Sequence, residues 1–321
     1  MGMKIIFLGT PEFAVPTLDR VLAEGHAVSL VVTQPDRPQG RKQELIPSPV
    51  KAAALRHGIP VYQPESIRQP EALERLRSLR PDVMVVVGYG QIVPQSMIDI
   101  PPLGIINVHA SLLPELRGAA PIQWSIARGY ASTGVTTMRI DAGLDTGDML
   151  LRWETPIAPD ETAVELSARL AEAGADLLVR TLAGAVHPEP QNNAIATWAP
   201  VLKKEDGRID WSNPAQRIHN LIRGFQPWPG AHTLFRGQSL HLWRARLVPQ
   251  RWNLPPGALI QAQSARASCA GSTNEQRGVF AIGGDGAALE LLEVQLEGRK
   301  KMPAEVFANG HRLTQTDRLG A

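Results

Sequence analysis

The sequence predicts a doubly wound, mostly parallel α/β domain followed by a smaller all-β domain. Three observations carry that reading. Short, near-continuous apolar runs alternate with helical patterns through the first half, as in a parallel sheet covered on both faces. After the polar, proline-bearing stretch Val186–Ala194 the texture changes to short β-like runs separated by turn signals. The chain has 321 residues, room for roughly two domains at ~150 residues each.

The elements follow in order. Lys4–Leu8 is a buried-strand pattern ended by Gly9-Thr10-Pro11, and Phe13–Glu24 carries Phe13, Leu18, Val21 and Leu22 at helical spacing before Gly25. Ala27–Thr33 reads as a second strand, Asp82–Val87 as a third, Gly104–His109 as a fourth and Val135–Ile140 as a fifth. Helical patterns occupy Pro70–Leu79 and Ala120–Arg128, and Thr162–Ala185 is the last long helix of this part. Beyond it, Leu240–Trp243, Ala258–Ile260, Val279–Ile282 and Leu289–Leu296 are β-like, with one helix near Pro214–Arg223. Pro-Gly, Arg-Gly and Gly-Gly-Asp-Gly turns separate these runs, which suggests a small barrel or sandwich. The expected boundaries are 1–189 for the first domain, 190–207 for a linker and 208–321 for the second.

Charge is divided unevenly along the chain. Residues 1–200 hold 17 basic and 21 acidic side chains, whereas residues 201–321 hold 16 basic and 10 acidic, although the net charge is only +2. A basic module on an acidic body points toward a polyanionic partner. The single cysteine, Cys269, excludes an internal disulfide framework and a Cys-based zinc site. The N-terminal apolar run Ile5–Leu8 is too short for a signal-peptide core, and no stretch reaches the ~20 apolar residues of a membrane span. A soluble, cytoplasmic protein is expected. The four tryptophans of the basic part, Trp211, Trp228, Trp243 and Trp252, read as buried anchors of a small β domain.

The long segment Gln34–Pro49 stands apart, with four prolines, no periodicity and the cations Arg37, Arg41 and Lys42 close together. A loop of that length inside a compact domain is often functional.

Several chemistries have no matching motif. There is no GxxxxGK[ST] phosphate loop, no HExxH and no GxSxG, and Val93 stands where a dinucleotide fingerprint has its third glycine after Gly88-Tyr89-Gly90. The informative segment is Asn107-Val108-His109 at the end of the fourth strand. Residues two apart on a strand share a face, and α/β sheets place ligands beyond strand carboxyl ends. A carboxamide can donate to a carbonyl oxygen as it becomes an oxyanion, and an imidazole relays protons near neutral pH, so the pair suits acyl transfer. After the fifth strand comes Asp141-Ala142-Gly143-Leu144-Asp145-Thr146-Gly147-Asp148. Its composition fits an ordered turn or a carboxylate that orients His109. It lacks the spacing of a calcium loop.

The motifs together are recognisable. Phe7-Leu8-Gly9-Thr10-Pro11, Thr33-Gln34-Pro35-Asp36-Arg37-Pro38, Pro47-Ser48-Pro49-Val50-Lys51, Ile106–Pro114, Arg117–Trp124 and Gly143–Met149 closely resemble the methionyl-tRNA formyltransferase family. Arg208-Ile209-Asp210-Trp211, Pro227-Trp228-Pro229 and Leu296–Met302 extend the resemblance over nearly the whole chain. The Asn-His and distant Asp motifs belong to the wider folate-dependent formyltransferase superfamily; the proline-rich loop and basic second domain narrow it to the tRNA enzymes.

That resemblance implies a Rossmann-like catalytic domain, an OB-like barrel that binds tRNA, and formyl transfer from 10-formyltetrahydrofolate to methionyl initiator tRNA for translation initiation. It implies a monomer that needs no metal. Asn107 would hold the formyl oxygen, His109 would assist there and in proton transfer, and Asp145 would position His109 or accept the amine proton through water. Ser111, Leu112, Leu113 and Pro114 would hold the folate, with Tyr89, Ile92 and Val93 on the opposite wall. Arg37, Arg41 and Lys42 would meet the acceptor end of the tRNA, although Gln43 and Glu44 make this loop less basic than the family form. Lys203, Lys204, Arg208, Arg299, Lys300 and Lys301 would grip the stem. Rival readings are formylation of a small amine (a nucleotide sugar or a glycinamide ribotide), hydrolysis of formyltetrahydrofolate, and a silent RNA-binding protein on the same fold.

Overall fold

A computed structural model describes residues 2–39, 44–184, 186–263 and 277–320; Arg41, Lys42 and Cys269 lie outside them. The chain forms two compact units, one of residues 1–121, 132–156 and 166–200, the other of residues 122–131, 157–165 and 201–321.

The first unit is built on a seven-stranded sheet. Its strands are β1 (Lys4–Gly9), β2 (Ala27–Val32), β5 (Val61–Tyr62), β6 (Val83–Val87), β7 (Ile105–His109), β9 (Ser132–Arg139) and β10 (Met149–Pro156), in the order β10-β9-β7-β6-β1-β2-β5. The five from β5 to β7 run parallel, and β9 and β10 are antiparallel to their neighbours. The parallel strands are linked through α1 (Val15–Ala23), α2 (Pro49–Arg56), α3 (Pro70–Ser78) and α4 (Gln95–Ile98). One face buries Ile6, Leu8, Leu30, Val32, Met84, Val86 and Ile105 against Ala72 and Leu76 of α3 and Met97 of α4. By strand alternation Asn107 and His109 continue the face of Ile105, while Val108 points the other way.

Val108 meets α6 (Ala163–Ala183) at Gly174, where a Cβ would come within 2.9 Å of the valine methyl. Glycine in a helix costs about 1 kcal/mol relative to alanine, so this one is kept for close helix–strand approach behind the site.

Three features depart from the sequence reading. The fifth strand is paired antiparallel, and its hairpin partner β10 was not expected, because an edge strand carrying Arg152 and Glu154 lacks an apolar run. The segment after Gln34 contains a short ladder, β3 (Arg37–Gln39) with β4 (Glu44–Ile46), in which Arg37 faces Ile46. Residues 190–200, expected to begin a linker, are hydrogen-bonded into the first unit: β11 (Trp198–Ala199) pairs with β8 (Arg117–Gly118).

The second unit is an antiparallel sheet of β12 (His232–Phe235), β13 (Gln238–Arg251), β14 (Leu259–Gln263), β15 (Arg277–Ile282), β16 (Ala287–Leu296) and β17 (Met302–Pro303). It contains α5 (Pro121–Ala127) from Ile122 onward, together with α7 (Ala215–Gly224) and α8 (Ala304–His311). Ile218 and Ile222 of α7 and Phe307 of α8 share a core with Trp211, Phe235, Leu242, Leu289 and Val294. The sheet's edges, β12 and β14, are joined by the C-terminal segment. Gly320 N–H donates to Leu234 O at 2.8 Å, and Leu319 N–H donates to Gly257 O at 2.8 Å. Bridges Phe235↔Leu319 and Ala258↔Arg318 complete the seam, so the sheet closes into the barrel that removes free edges. Of the four tryptophans, Trp211 is core, Trp252 packs on Phe280 and Trp243 is half-buried, but Trp228 is 53% exposed, not the buried anchor expected.

The seam is stapled by Asp317, which accepts from Arg236 Nε at 2.7 Å and Nη2 at 2.8 Å and from Thr314 N–H at 2.7 Å. The Arg236 bonds, then the Thr314 bonds, outweigh burial and lower its carboxyl from 3.8 to about 2. A depressed carboxylate contributes stability above its unfolded pKa and loses it as pH falls toward the folded one. Asp317→Asn should therefore lose about 1–2 kcal/mol at pH 7, discounted for the half-exposed arginine. In urea unfolding the gap from the unaltered protein should close between about pH 4 and pH 2. Gly174→Leu should destabilise the first unit by about 1–3 kcal/mol through overpacking against Val108, read as a lower urea midpoint.

Candidate active site

The site is assembled from a strand end and two loops. Strand β7 delivers Asn107 and His109 from one face, both buried, at 9% and 6% exposure. Their shared partner is Asp145, thirty-six residues beyond His109 in the loop between β9 and β10. One carboxylate oxygen of Asp145 lies 3.4 Å from Asn107 Nδ2. The other accepts the Gly118 N–H at 2.9 Å and lies 3.7 Å from His109 Nδ1. All three sequence-predicted catalytic side chains thus meet at one carboxylate.

The tautomer of His109 follows from its other nitrogen. Nε2 is 3.0 Å from Leu116 O. A carbonyl can only accept, so Nε2 carries a proton and Nδ1 is left to exchange one toward Asp145. Leu116 presents that carbonyl from a left-handed backbone, φ 57°. A non-glycine residue there costs roughly 1–2 kcal/mol, and such strain clusters at sites. Asp145 is also left-handed, φ 52°, a conformation that aspartate tolerates better than most residues.

Two of the three carboxylates in the aspartate loop have separate tasks. Asp141 Oδ1 accepts from Gly143 N–H at 3.0 Å and from Thr146 Oγ1 at 2.7 Å, an Asx-type turn that shapes the loop. Asp145 is turned inward. Gly147 permits the close return to β9, since a Cβ would sit 2.0 Å from Arg139 O. Gly118, φ 114°, is likewise required, because a Cβ there would lie 2.7 Å from Ala199 O.

The segment after β7 is tied down by its main chain. Thr136 Oγ1 donates to Ser111 O at 2.7 Å and accepts from Leu113 N–H at 3.2 Å, while Ser111 Oγ donates to Glu115 O at 2.6 Å. Leu113 turns its side chain into a small cluster with Met138 and Met149, Pro114 is buried and Leu112 is half-buried. Tyr89 is also core rather than surface, 1% exposed, and burial pushes its phenol well above the ordinary value. Its carbonyl accepts from Thr10 Oγ1 at 3.0 Å and Gln34 Nε2 at 3.2 Å. Ile92 is 69% exposed and Val93 packs at the edge of the core.

The cations fall in two groups. Arg37 is exposed on β3 of the first unit. Lys203, Lys204, Arg208, Arg299, Lys300 and Lys301 are exposed on the second. Lys301 Nζ stands 3.6 Å from the centre of the Trp243 ring, on which His241 stacks at 5.8 Å. Burial first, then His232, holds His241 below the usual imidazole value; Lys204 and Lys301 push the same way, against Glu297. Lys204 and Lys301, 97 positions apart in sequence, thus share one neighbourhood. Among the described residues, no group of three His, Cys, Asp or Glu side chains is arranged to hold a metal ion, and no helix is long and apolar enough to cross a membrane.

Sequence reasoning missed four contributors: Leu116 O, Gly118 N–H, Arg117 and Gln191. Two are main-chain groups without a residue-type signature, and Gln191 lies in the stretch taken for a linker.

Residues 3–182 match the family model described as formyl transferase, and residues 201–312 match the formyl transferase C-terminal domain. Among curated relatives, a methionyl-tRNA formyltransferase of Solibacter usitatus is 58% identical over 99% of both chains. One of Koribacter versatilis is 55% identical over 99% of both. Among solved structures, an N-formyltransferase from Helicobacter canadensis, in complex with folinic acid and dTDP-3-aminofucose, superposes with TM-score 0.66 at 18% identity, covering 91% of this chain and 99% of that one. HypX from Aquifex aeolicus in complex with tetrahydrofolic acid superposes with TM-score 0.64 at 17% identity, covering 96% of this chain and 47% of that one. At such identity the two structures speak for the fold alone. The near-full-length relatives and both domain models decide the assignment: this chain belongs to the methionyl-tRNA formyltransferase family.

Proposed function

We propose that this protein transfers the formyl group of 10-formyltetrahydrofolate to the α-amine of methionine esterified to initiator tRNA, supplying formylated initiator for translation. The observation that carries the reading is the Asp145 carboxylate shared by Asn107 and His109, in a chain whose relatives of that name match from end to end.

The donor set fits this chemistry. Asn107 Nδ2 has two protons, and the one turned to Asp145 leaves the other for a carbonyl oxygen. When bound, 10-formyltetrahydrofolate would supply the carbonyl carbon that the amine attacks; the bond from that carbon to N10 would then break, tetrahydrofolate leaving with N10 protonated as the amine gives up a proton. Asn107 then stabilises the negative charge growing on the formyl oxygen. His109, its Nε2 proton fixed on Leu116 O, exchanges a proton through Nδ1. Asp145 opposes the positive charge that arises on the imidazole and on the attacking amine.

The folate segment is Ser111–Pro114, with Tyr89, Ile92 and Val93 opposite. Tyr89 and Leu113 commit their side chains to the core, so their share is main-chain; Leu112 and Ile92 supply apolar surface. The exposed cations Lys203, Lys204, Arg208, Arg299, Lys300 and Lys301 contact stem phosphates, and Arg37, with Arg41 and Lys42 of the undescribed stretch, meets the acceptor end.

The deciding experiment is transfer of labelled formyl from 10-formyltetrahydrofolate to methionyl initiator tRNA, run beside small amines and a no-acceptor control. Product on the tRNA alone supports the reading; product on a small amine, or formate without acceptor, overturns it. Asn107→Ala, His109→Ala and Asp145→Ala should each lose at least ~10²-fold in kcat while keeping the thermal transition. Near-full turnover by folded His109→Ala would remove it from the mechanism. Binding of tRNA should weaken linearly in log salt, and each lysine removed from the basic unit should reduce the slope by ~0.7–0.9 if it meets a phosphate.

A further inference from the structure

Asp145 is gripped at its main chain as well as at its carboxylate. Gln191 Nε2 donates to Asp145 O at 2.9 Å and to Gly147 O at 2.7 Å. A carboxamide nitrogen has two protons, and both are used. The amide is oriented from behind by Arg117, which is 3% exposed. Its Nε and Nη2 donate to Gln191 Oε1 at 3.0 and 2.7 Å, and Nη2 also reaches Asn193 Oδ1 at 2.8 Å. With two guanidinium N–H groups on the oxygen, the nitrogen can point only at the aspartate loop.

The same short stretch serves both grips. Arg117 sends its side chain to Gln191, and the next residue, Gly118, gives its N–H to the Asp145 carboxylate. The segment carrying Gln191 is itself pinned beside the loop. Glu189 and Met149 exchange N–H···O bonds at 2.8 and 2.9 Å, and Thr197 O accepts from Arg117 N–H at 2.9 Å. The left-handed turn at Asp145, φ 52°, is thus held at the carbonyl by Gln191 and at the carboxylate by Gly118.

We propose that Gln191, oriented by Arg117, is a positioning residue for formyl transfer: it fixes the backbone of Asp145 so that the carboxylate stands at Asn107 and His109. This rests on the role given to Asp145 above. The Gln191 amide bonds the main chain of the aspartate loop rather than the three side chains, and it has no part in proton transfer.

The test is kinetic. Gln191→Glu keeps an oxygen for Arg117 but cannot donate to the two loop carbonyls; Gln191→Ala removes both sets of bonds. Each is assayed on the full chain for kcat, for KM of folate and of methionyl-tRNA, for the pH dependence of kcat and for the thermal transition. Asn192→Ala, next in the chain with its side chain on Ala194 N–H, controls for disturbance of the segment. The expected result is a 10–100-fold loss in kcat for both Gln191 variants, the size seen when a group supporting an active-site ligand is removed. Both KM values should stay within ~3-fold, the pH profile should shift, and Asn192→Ala should match the unaltered protein. In an Asp145→Ala background, Gln191→Ala should cost almost nothing more, because both act through one carboxylate.

Folded Gln191 variants with kcat within ~3-fold of normal would overturn the proposal, as would a loss confined to KM or a full additive loss in the Asp145→Ala background. Failure of the underlying reading is distinct: Asp145→Ala alone would then retain its rate.

Discussion

The Asp145 carboxylate accepts the Gly118 N–H at 2.9 Å, and the site's architecture depends on keeping that charge in place. A carboxylate only 16% exposed must be met by donors, because leaving it unpaired costs several kcal/mol. The main-chain N–H of Gly118 donates to one oxygen and the Asn107 amide to the other, while His109 Nδ1 stands 3.7 Å from the first, placed to take up a proton beside the charge. A charge held by fixed dipoles does not reorganise when the reaction begins, which is why preorganised polar groups serve catalysis better than mobile ones.

Rigidity behind the site has a packing origin. Strand β7 is paired on both sides, parallel to β6 and antiparallel to β9. Gly174 lets α6 press onto Val108 between the two site residues. The loops that complete the site are braced by side chains that bond main-chain atoms: Thr136 for Ser111–Leu113, Asp141 for Gly143, Gln191 for Asp145 and Gly147. Loop carbonyls and N–H groups have no ladder to satisfy them, so these side chains take the place of secondary structure. The second unit solves a related problem at its edges, where the strand-like C-terminal residues close the sheet and Asp317 holds them to Arg236.

Much of the fold was legible in the sequence. Four of the five expected strands of the first unit were visible because parallel strands buried on both faces are apolar throughout; the fifth, β9, is antiparallel yet buried from Thr133 to Met138, and so was visible too. The edge strand β10 was not, since alternation with charge resembles loop. Asn107 and His109 were legible because two positions on one strand have a fixed geometric relation. The linker reading of 190–207 shows the limit: Gln191 looks like solvent-facing polarity, and its role exists only once Arg117, far back in the chain, is beside it.

The sequence by itself determined the element types, the shared face of Asn107 and His109, the reserve of positive charge beyond residue 200 and the family's motifs. These depend on residue chemistry and on the local periods of strand and helix. Tertiary structure alone decided that the Gly118 N–H meets the Asp145 carboxylate, that Leu116 sets the His109 tautomer, and that Gln191 holds the aspartate loop. It also decided that Tyr89 and Leu113 turn inward. Each of these depends on groups brought together across long stretches of chain, where backbone direction and burial, rather than residue type, settle which polar atom finds which partner.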